Sequence, residues 1–99
     1  MSDKNVTVVA RIKVKAGMEE KVKQKVMALA VPTRSEPGCI NYDLHQSVDD
    51  KSLFLLYENW ASKDDLDKHF EMPYLKAWRE EAKDLVAQPT EVTLWEKID

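Results

Sequence analysis

The segment Leu53 to Trp60, LFLLYENW, carries bulky side chains at both odd and even positions. Successive residues of a β-strand point to opposite faces, so a strand of this kind is greasy on both sides and needs two covers. A chain of 99 residues has room for one small sheet and two or three helices, which supply one cover. The other is expected from a second copy of the chain, and Glu58 and Asn59 on the same strand would then sit where water is scarce.

The length fits one domain over residues 1–99, with a folded core from about residue 5 to 96. Hydrophobic residues at 43% and charged residues at 33% are ordinary for a folded globular chain and unlike disorder. The net charge is −3, and lysines such as Lys21, Lys23 and Lys25 stand behind Glu19 and Glu20 rather than in a patch, so no nucleic-acid partner is expected. No apolar run reaches the length of a membrane span, and residues 1–5 lack the basic-then-apolar layout of a signal peptide, so the expected location is the cytoplasm. The single cysteine, Cys39, excludes an internal disulfide and is too little for a thiolate zinc cage. Standing without a known basic neighbour, it reads as a small buried hydrophobe.

Val6, Val8, Ala10, Ile12 and Val14 alternate with Thr7, Val9, Arg11 and Lys13, which predicts a half-buried strand. Gly17 breaks the run, and Met18, Val22, Val26 and Leu29 recur at helical spacing until Pro32 stops or bends the helix. After the Pro37-Gly38 turn, a second strand runs from Cys39 to Ser47. Val48 to Lys51 is turn chemistry and LFLLYENW is the third strand. Ser62, with Asp65 three positions on, starts a short helix carrying Leu66, His69 and Phe70 on one face; Pro73 opens another with Tyr74, Leu75, Trp78, Ala82 and Leu85. Thr90 to Trp95 is the last strand.

An even-length loop centred between Asp49 and Asp50 sets Ser47 opposite Ser52, His45 opposite Phe54, Leu44 opposite Leu55, Tyr42 opposite Tyr57, Asn41 opposite Glu58 and Cys39 opposite Trp60. One face then holds Ile40, Tyr42, Leu44, Leu53, Leu55 and Tyr57. The other mixes Asn41, Asp43, His45 and Glu58 with Phe54, Leu56 and Trp60, as a pocket wall would. An odd-length loop would shift every partner. The element order, strand, helix, strand, strand, helix pair, strand, is the split β-α-β arrangement of an α+β, ferredoxin-like fold, an antiparallel sheet with helices on one face.

His45 and His69 are the only imidazoles, so a general base near neutral pH is most simply one of them. Glu58, inside an apolar strand, must find a partner, take up a proton or reach water; Asn41 and Arg34 are the expected partners if its role is structural, and acid, base or substrate anchor are its roles if it is not. Trp60, Trp78, Tyr74 and Phe54 suit the walls of an aromatic-binding site, with Asn41 beside them, although each ring alone is as readily core. Trp95 suits a dimer interface. No histidine spacing gives a metal ligand set.

Ser35 to Ser47 (SEPGCINYDLHQS), Phe54 to Trp60 (FLLYENW) and His69 to Trp78 (HFEMPYLKAW) together resemble the antibiotic biosynthesis monooxygenase domain family, over nearly the whole chain. The resemblance implies a dimeric α+β barrel. Enzymes of the family commonly oxidise aromatic or quinol substrates with dioxygen and need no flavin, haem or metal. Others isomerise small metabolites or degrade haem. The haem-degrading members use asparagine, tryptophan and histidine where this chain has Ala10, His69 and Arg79, and many relatives have histidine where this chain has Tyr74. The expected function is a cofactor-independent monooxygenase acting on a small quinol-like or polyphenolic molecule, with His69, His45 and Glu58 as catalytic residues and a homodimer as the assembly. An acid-base isomerase of a small carbonyl metabolite and a non-catalytic ligand-binding module are the alternatives.

Overall fold

A computed structural model describes residues 5–99. Four strands, β1 (Val6–Lys13), β2 (Cys39–Gln46), β3 (Leu53–Trp60) and β4 (Glu91–Trp95), form one antiparallel sheet in the order β2-β3-β1-β4. Three helices, α1 (Glu19–Thr33), α2 (Lys63–Phe70) and α3 (Pro73–Ala82), cover one face. The expected ferredoxin-like α+β order holds.

The alternation in β1 buries Val8, Ala10 and Ile12 under the helices, and Val14 continues that row. Val22, Val26 and Ala30 of α1, Leu66 of α2 and Leu85 after α3 close over them with Tyr42, Phe54, Leu56 and Trp60. α1 runs one residue past Pro32 and ends at Thr33. Proline at this place removes one backbone donor in the last turn, and the Thr33 hydroxyl adds a bond of its own there by donating to the Leu29 carbonyl at 2.8 Å. Ser62 caps α2 as its position predicts, its hydroxyl accepting the Asp65 N–H at 3.1 Å.

The hairpin register differs from the even-loop expectation. Ser47 N–H donates to the Leu53 carbonyl, leaving the odd-length loop Val48 to Ser52. Side chains close it: Ser47 Oγ accepts the N–H groups of Asp49 and Asp50, and Asp50 accepts the N–H and hydroxyl of Ser52. His45 therefore faces Leu55, Leu44 faces Leu56, Tyr42 faces Glu58 and Asn41 faces Asn59. An irregularity between Cys39 and Asn41 brings Cys39 back opposite Trp60. The one-residue slip reverses the faces of β2. Tyr42 and Leu44 join Phe54, Leu56, Glu58 and Trp60 beneath the helices, whereas Asn41, Asp43 and His45 lie on the open face.

That open face carries Leu53, Leu55, Tyr57 and Trp95, the last 58% exposed, and a row of side-chain hydrogen bonds from Thr7 to Asn59 to Asn41 to Asp43. Among the described residues, no helix is long and apolar enough to cross a membrane.

Candidate active site

Between the helix-covered face of the sheet and α3 lies a cavity of about 310 Å³. Its floor is Val8, Ala10 and Ile12 of β1 with Leu56 of β3, and Leu75, Trp78 and Ala82 of α3 form its roof. Alternation places the first four on one face of the sheet, and spacings of three and four place the last three on one face of the helix. Three polar side chains break this apolar lining at its buried parts, Glu58, His69 and Tyr42; Arg79, Lys83 and Thr90 stand at its exposed parts.

Glu58 is 4% exposed, and its Oε1 accepts the indole N–H of Trp60 at 2.9 Å. The expected partners are elsewhere: Arg34 donates to the Tyr42 carbonyl, and Asn41 bonds to Asn59, Asp43 and the Tyr57 carbonyl on the open face. Residues two apart on a strand share a face, which is why Trp60 can reach Glu58. Burial pushes the Glu58 carboxyl up to about 7; the Trp60 hydrogen bond opposes the rise and the nearby Glu36 charge adds to it.

His69, 2% exposed, sits in the last turn of α2 and is sandwiched by aromatic rings: Trp60 at 4.6 Å between centres, Tyr42 edge-on and Phe70, both at 5.8 Å. Its Nδ1 lies 2.9 Å from Glu36 Oε2, and the Tyr74 hydroxyl donates to that same oxygen. Burial lowers the imidazole pKa, the Glu36 hydrogen bond and charge act the other way, and Arg79 adds to the lowering. Burial also raises the Tyr42 and Tyr74 phenols well above their ordinary value, so both stay protonated at neutral pH.

Among the described residues, His69 Nε2, Glu58 Oε2 and the Tyr42 hydroxyl have no protein hydrogen-bond partner, yet no buried side-chain nitrogen or oxygen is left unbonded. These three atoms therefore reach the open space of the cavity they line. The arrangement offers a neutral base, a carboxyl that holds a proton near neutral pH, and a fixed hydroxyl donor, all facing an apolar space.

Of the residues singled out in the sequence, Glu58, His69 and Trp78 line the cavity, Trp60 stands behind the first two without lining it, and Tyr74 lies outside it, joined to His69 through Glu36. His45 and Asn41 do not join them: the register slip puts both on the open face. Phe54 is buried in the core at the other end of β3 from Glu58 and does not line the cavity. Sequence reasoning missed Tyr42, assigned to the wrong face, and Glu36, whose only sign is an acid set just before a Pro-Gly turn. Cys39 is partly buried and burial pushes its thiol up to about 11, in keeping with an unreactive side chain. No three His, Cys, Asp or Glu among the described residues come together as a metal ligand set.

The chain is similar to an uncharacterized protein of Synechocystis sp., 34% identical over 95% of this chain and 64% of that protein, so it spans a little under two thirds of that relative's length. It is 32% identical to Rv0793 of Mycobacterium tuberculosis, over 95% of this chain and 92% of that protein, whose name assigns it provisionally to the monooxygenases. The solved structure of Rv0793 superposes with a TM-score of 0.91 over 96% of both chains, and that of PA3566 from Pseudomonas aeruginosa with 0.92 at 26% identity over 100% of this chain and 99% of that one. The family model for antibiotic biosynthesis monooxygenases matches residues 5–81. The chain belongs to the antibiotic biosynthesis monooxygenase family.

Proposed function

We propose that the protein is a cofactor-independent monooxygenase that oxidises a small quinol-like or polyphenolic molecule with dioxygen. The observation that carries the reading is the cavity in which His69 Nε2 and Glu58 Oε2 face an otherwise apolar space. Family membership supports the reaction class. A planar ring enters between the β1 floor and Trp78. His69 Nε2 takes the proton of a phenolic hydroxyl, and the Tyr42 hydroxyl donates to the resulting phenolate.

The electron-rich anion then reduces dioxygen directly, and the two combine at the ring carbon to form a carbon–oxygen bond. The peroxide takes back the proton held by His69 and breaks its O–O bond as the ring C–H proton passes to the Glu58 carboxylate, giving a quinone and water, so that phenol plus dioxygen balances quinone plus water. Glu58, protonated up to about pH 7, supplies a proton to the departing oxygen. The apolar walls keep bulk water from the anion. Oxygen-electrode traces with a panel of hydroquinones and naphthols test the reading. Uptake by the native chain that falls at least about tenfold in His69→Ala and in Glu58→Gln supports it; a native rate no higher than that of His69→Ala overturns it.

A carboxyl near 7 opposite a neutral imidazole also suits proton shuttling on a small carbonyl compound, the acid-base isomerase reading. Full turnover without oxygen favours that reading over the first. The working assembly is a homodimer in the cytoplasm, joined through the open face of the sheet that Leu53, Leu55, Tyr57 and Trp95 make apolar. Sedimentation as a single protomer at micromolar concentration overturns the dimer.

A further inference from the structure

We infer that Glu36 is a positioning residue that decides which nitrogen of His69 meets the cavity, acting through the imidazole without touching the substrate. Glu36 stands in the turn between α1 and β2, and its side chain is 4% exposed against 2% for that of His69. The Tyr74 hydroxyl donates to Glu36 Oε2, so that oxygen is an acceptor, and its 2.9 Å contact places the ring proton on Nδ1 and leaves the lone pair on Nε2. With the roles reversed, Nε2 would carry the proton and have no lone pair to receive another. Trp60, stacked at 4.6 Å, and the edge of Tyr42 hold the ring plane, so a half-turn of the imidazole meets both neighbours.

Tyr74 gives the arrangement a second anchor. It sits in the first turn of α3 and donates to the oxygen that holds His69 at the end of α2. One atom, Glu36 Oε2, thus ties both helices to the turn that feeds β2. The charged and titratable groups that bear on the imidazole are Glu36 and Arg79, with Tyr42 packed on its edge. Only Glu36 bonds to it among the described residues.

The consequence for turnover rests on the reading of His69 as proton acceptor; the tautomer itself does not. Nitrogen-15 spectra of the histidine-labelled protein at neutral pH decide the tautomer. The native chain should show His69 protonated at Nδ1 and bare at Nε2. Glu36→Gln, whose amide can turn an N–H toward the ring, should show a mixed or Nε2-protonated population, and Tyr74→Phe, which leaves the carboxylate in place, should keep the native form. A native spectrum with Nε2 protonated, or a Glu36→Gln spectrum unchanged from native, overturns the inference; the native and Tyr74→Phe spectra still decide it if Glu36→Gln does not fold. In turnover, Glu36→Gln should lower kcat at least about tenfold with little change in KM. A changed tautomer with unchanged kcat instead overturns the role given to His69.

Discussion

The indole of Trp60 lies over the imidazole of His69, ring centres 4.6 Å apart and planes tilted by 31°. The same indole gives its N–H to Glu58. One fully buried ring thus braces two of the three groups that turn a polar atom to the cavity. Trp60→Phe keeps an aromatic surface and removes the donor. It should destabilise the fold by about 1–3 kcal/mol, through lost volume and an unmet carboxylate oxygen. The loss should be larger at pH 8 than at pH 5.5, where Glu58 is protonated. Urea unfolding at the two pH values measures it, and equal losses would mean the N–H bond contributes nothing to the charged form.

Glu58 also makes stability depend on pH. It titrates near 7 in the folded chain against 4.5 for an unperturbed carboxyl, so the folded state holds the proton more tightly. The stability linked to that proton is complete below about pH 4.5 and is lost as pH rises through 7, to a limit on the order of 3 kcal/mol. Glu58→Gln removes this titration. Its unfolding free energy should stay flatter between pH 5 and 8 and exceed that of the native chain at pH 8. His69, with its folded pKa lowered, acts at the other end: its stability is present above about pH 6.5 and lost as pH falls through the folded value.

The cavity can be filled without touching any polar group. Ala82 faces it from α3 and is buried. Ala82→Leu extends three carbons into open space, so little overpacking strain is expected and the melting temperature should stay within about 3 °C of native. Binding of two-ring phenols, followed by titration calorimetry, should weaken at least about tenfold. Undiminished binding would place the ligand elsewhere.

The chain's two glycines offer a paired test. Both have positive φ, Gly17 at 90° and Gly38 at 85°. A β-carbon at Gly17 meets nothing, whereas at Gly38 it runs into the Asp65 side chain that belongs to the Ser62 cap of α2. Gly17→Ala should cost about 1 kcal/mol, from backbone strain alone, and Gly38→Ala at least about 2 kcal/mol more. Thermal unfolding of the two variants checks the order; equal costs would show that Asp65 moves aside freely.

Element type and order were legible because the periodic signals in β1 and α1 and the unbroken apolar run of β3 are strong and Gly17, Pro37-Gly38 and Pro73 punctuate them. The greasy two-sided pattern of LFLLYENW marked a strand, and one of its faces lies under the helices; the second cover it called for, another copy of the chain, belongs to the proposed dimer. Glu58, which is buried, was legible as a carboxyl within an apolar strand, and His69, also buried, as one of two imidazoles that could join it. The register of the hairpin was not, since it depends on Ser47 and Asp50 folding their side chains back onto the loop, and a one-residue slip there moved Tyr42 into the cavity wall and His45 out of it. Glu36 was hidden for a different reason: its partners His69 and Tyr74 lie 33 and 38 positions along the chain, and no local pattern encodes a contact of that span.

The sheet order has a consequence for how the molecule is assembled during translation. β1 is synthesised first yet lies between β3 and β4, and Thr93 returns across 84 positions to donate to the Val9 carbonyl. Until the final strand emerges, one flank of β1 has bare amides and carbonyls that any other extended chain can pair with. The family pattern stops at residue 81, ahead of that strand. A chain truncated there would hold His69, Glu58 and Glu36 and still be prone to clumping, and the fold should form slowly for its size, because its closing contacts join the first and last strands of the sheet.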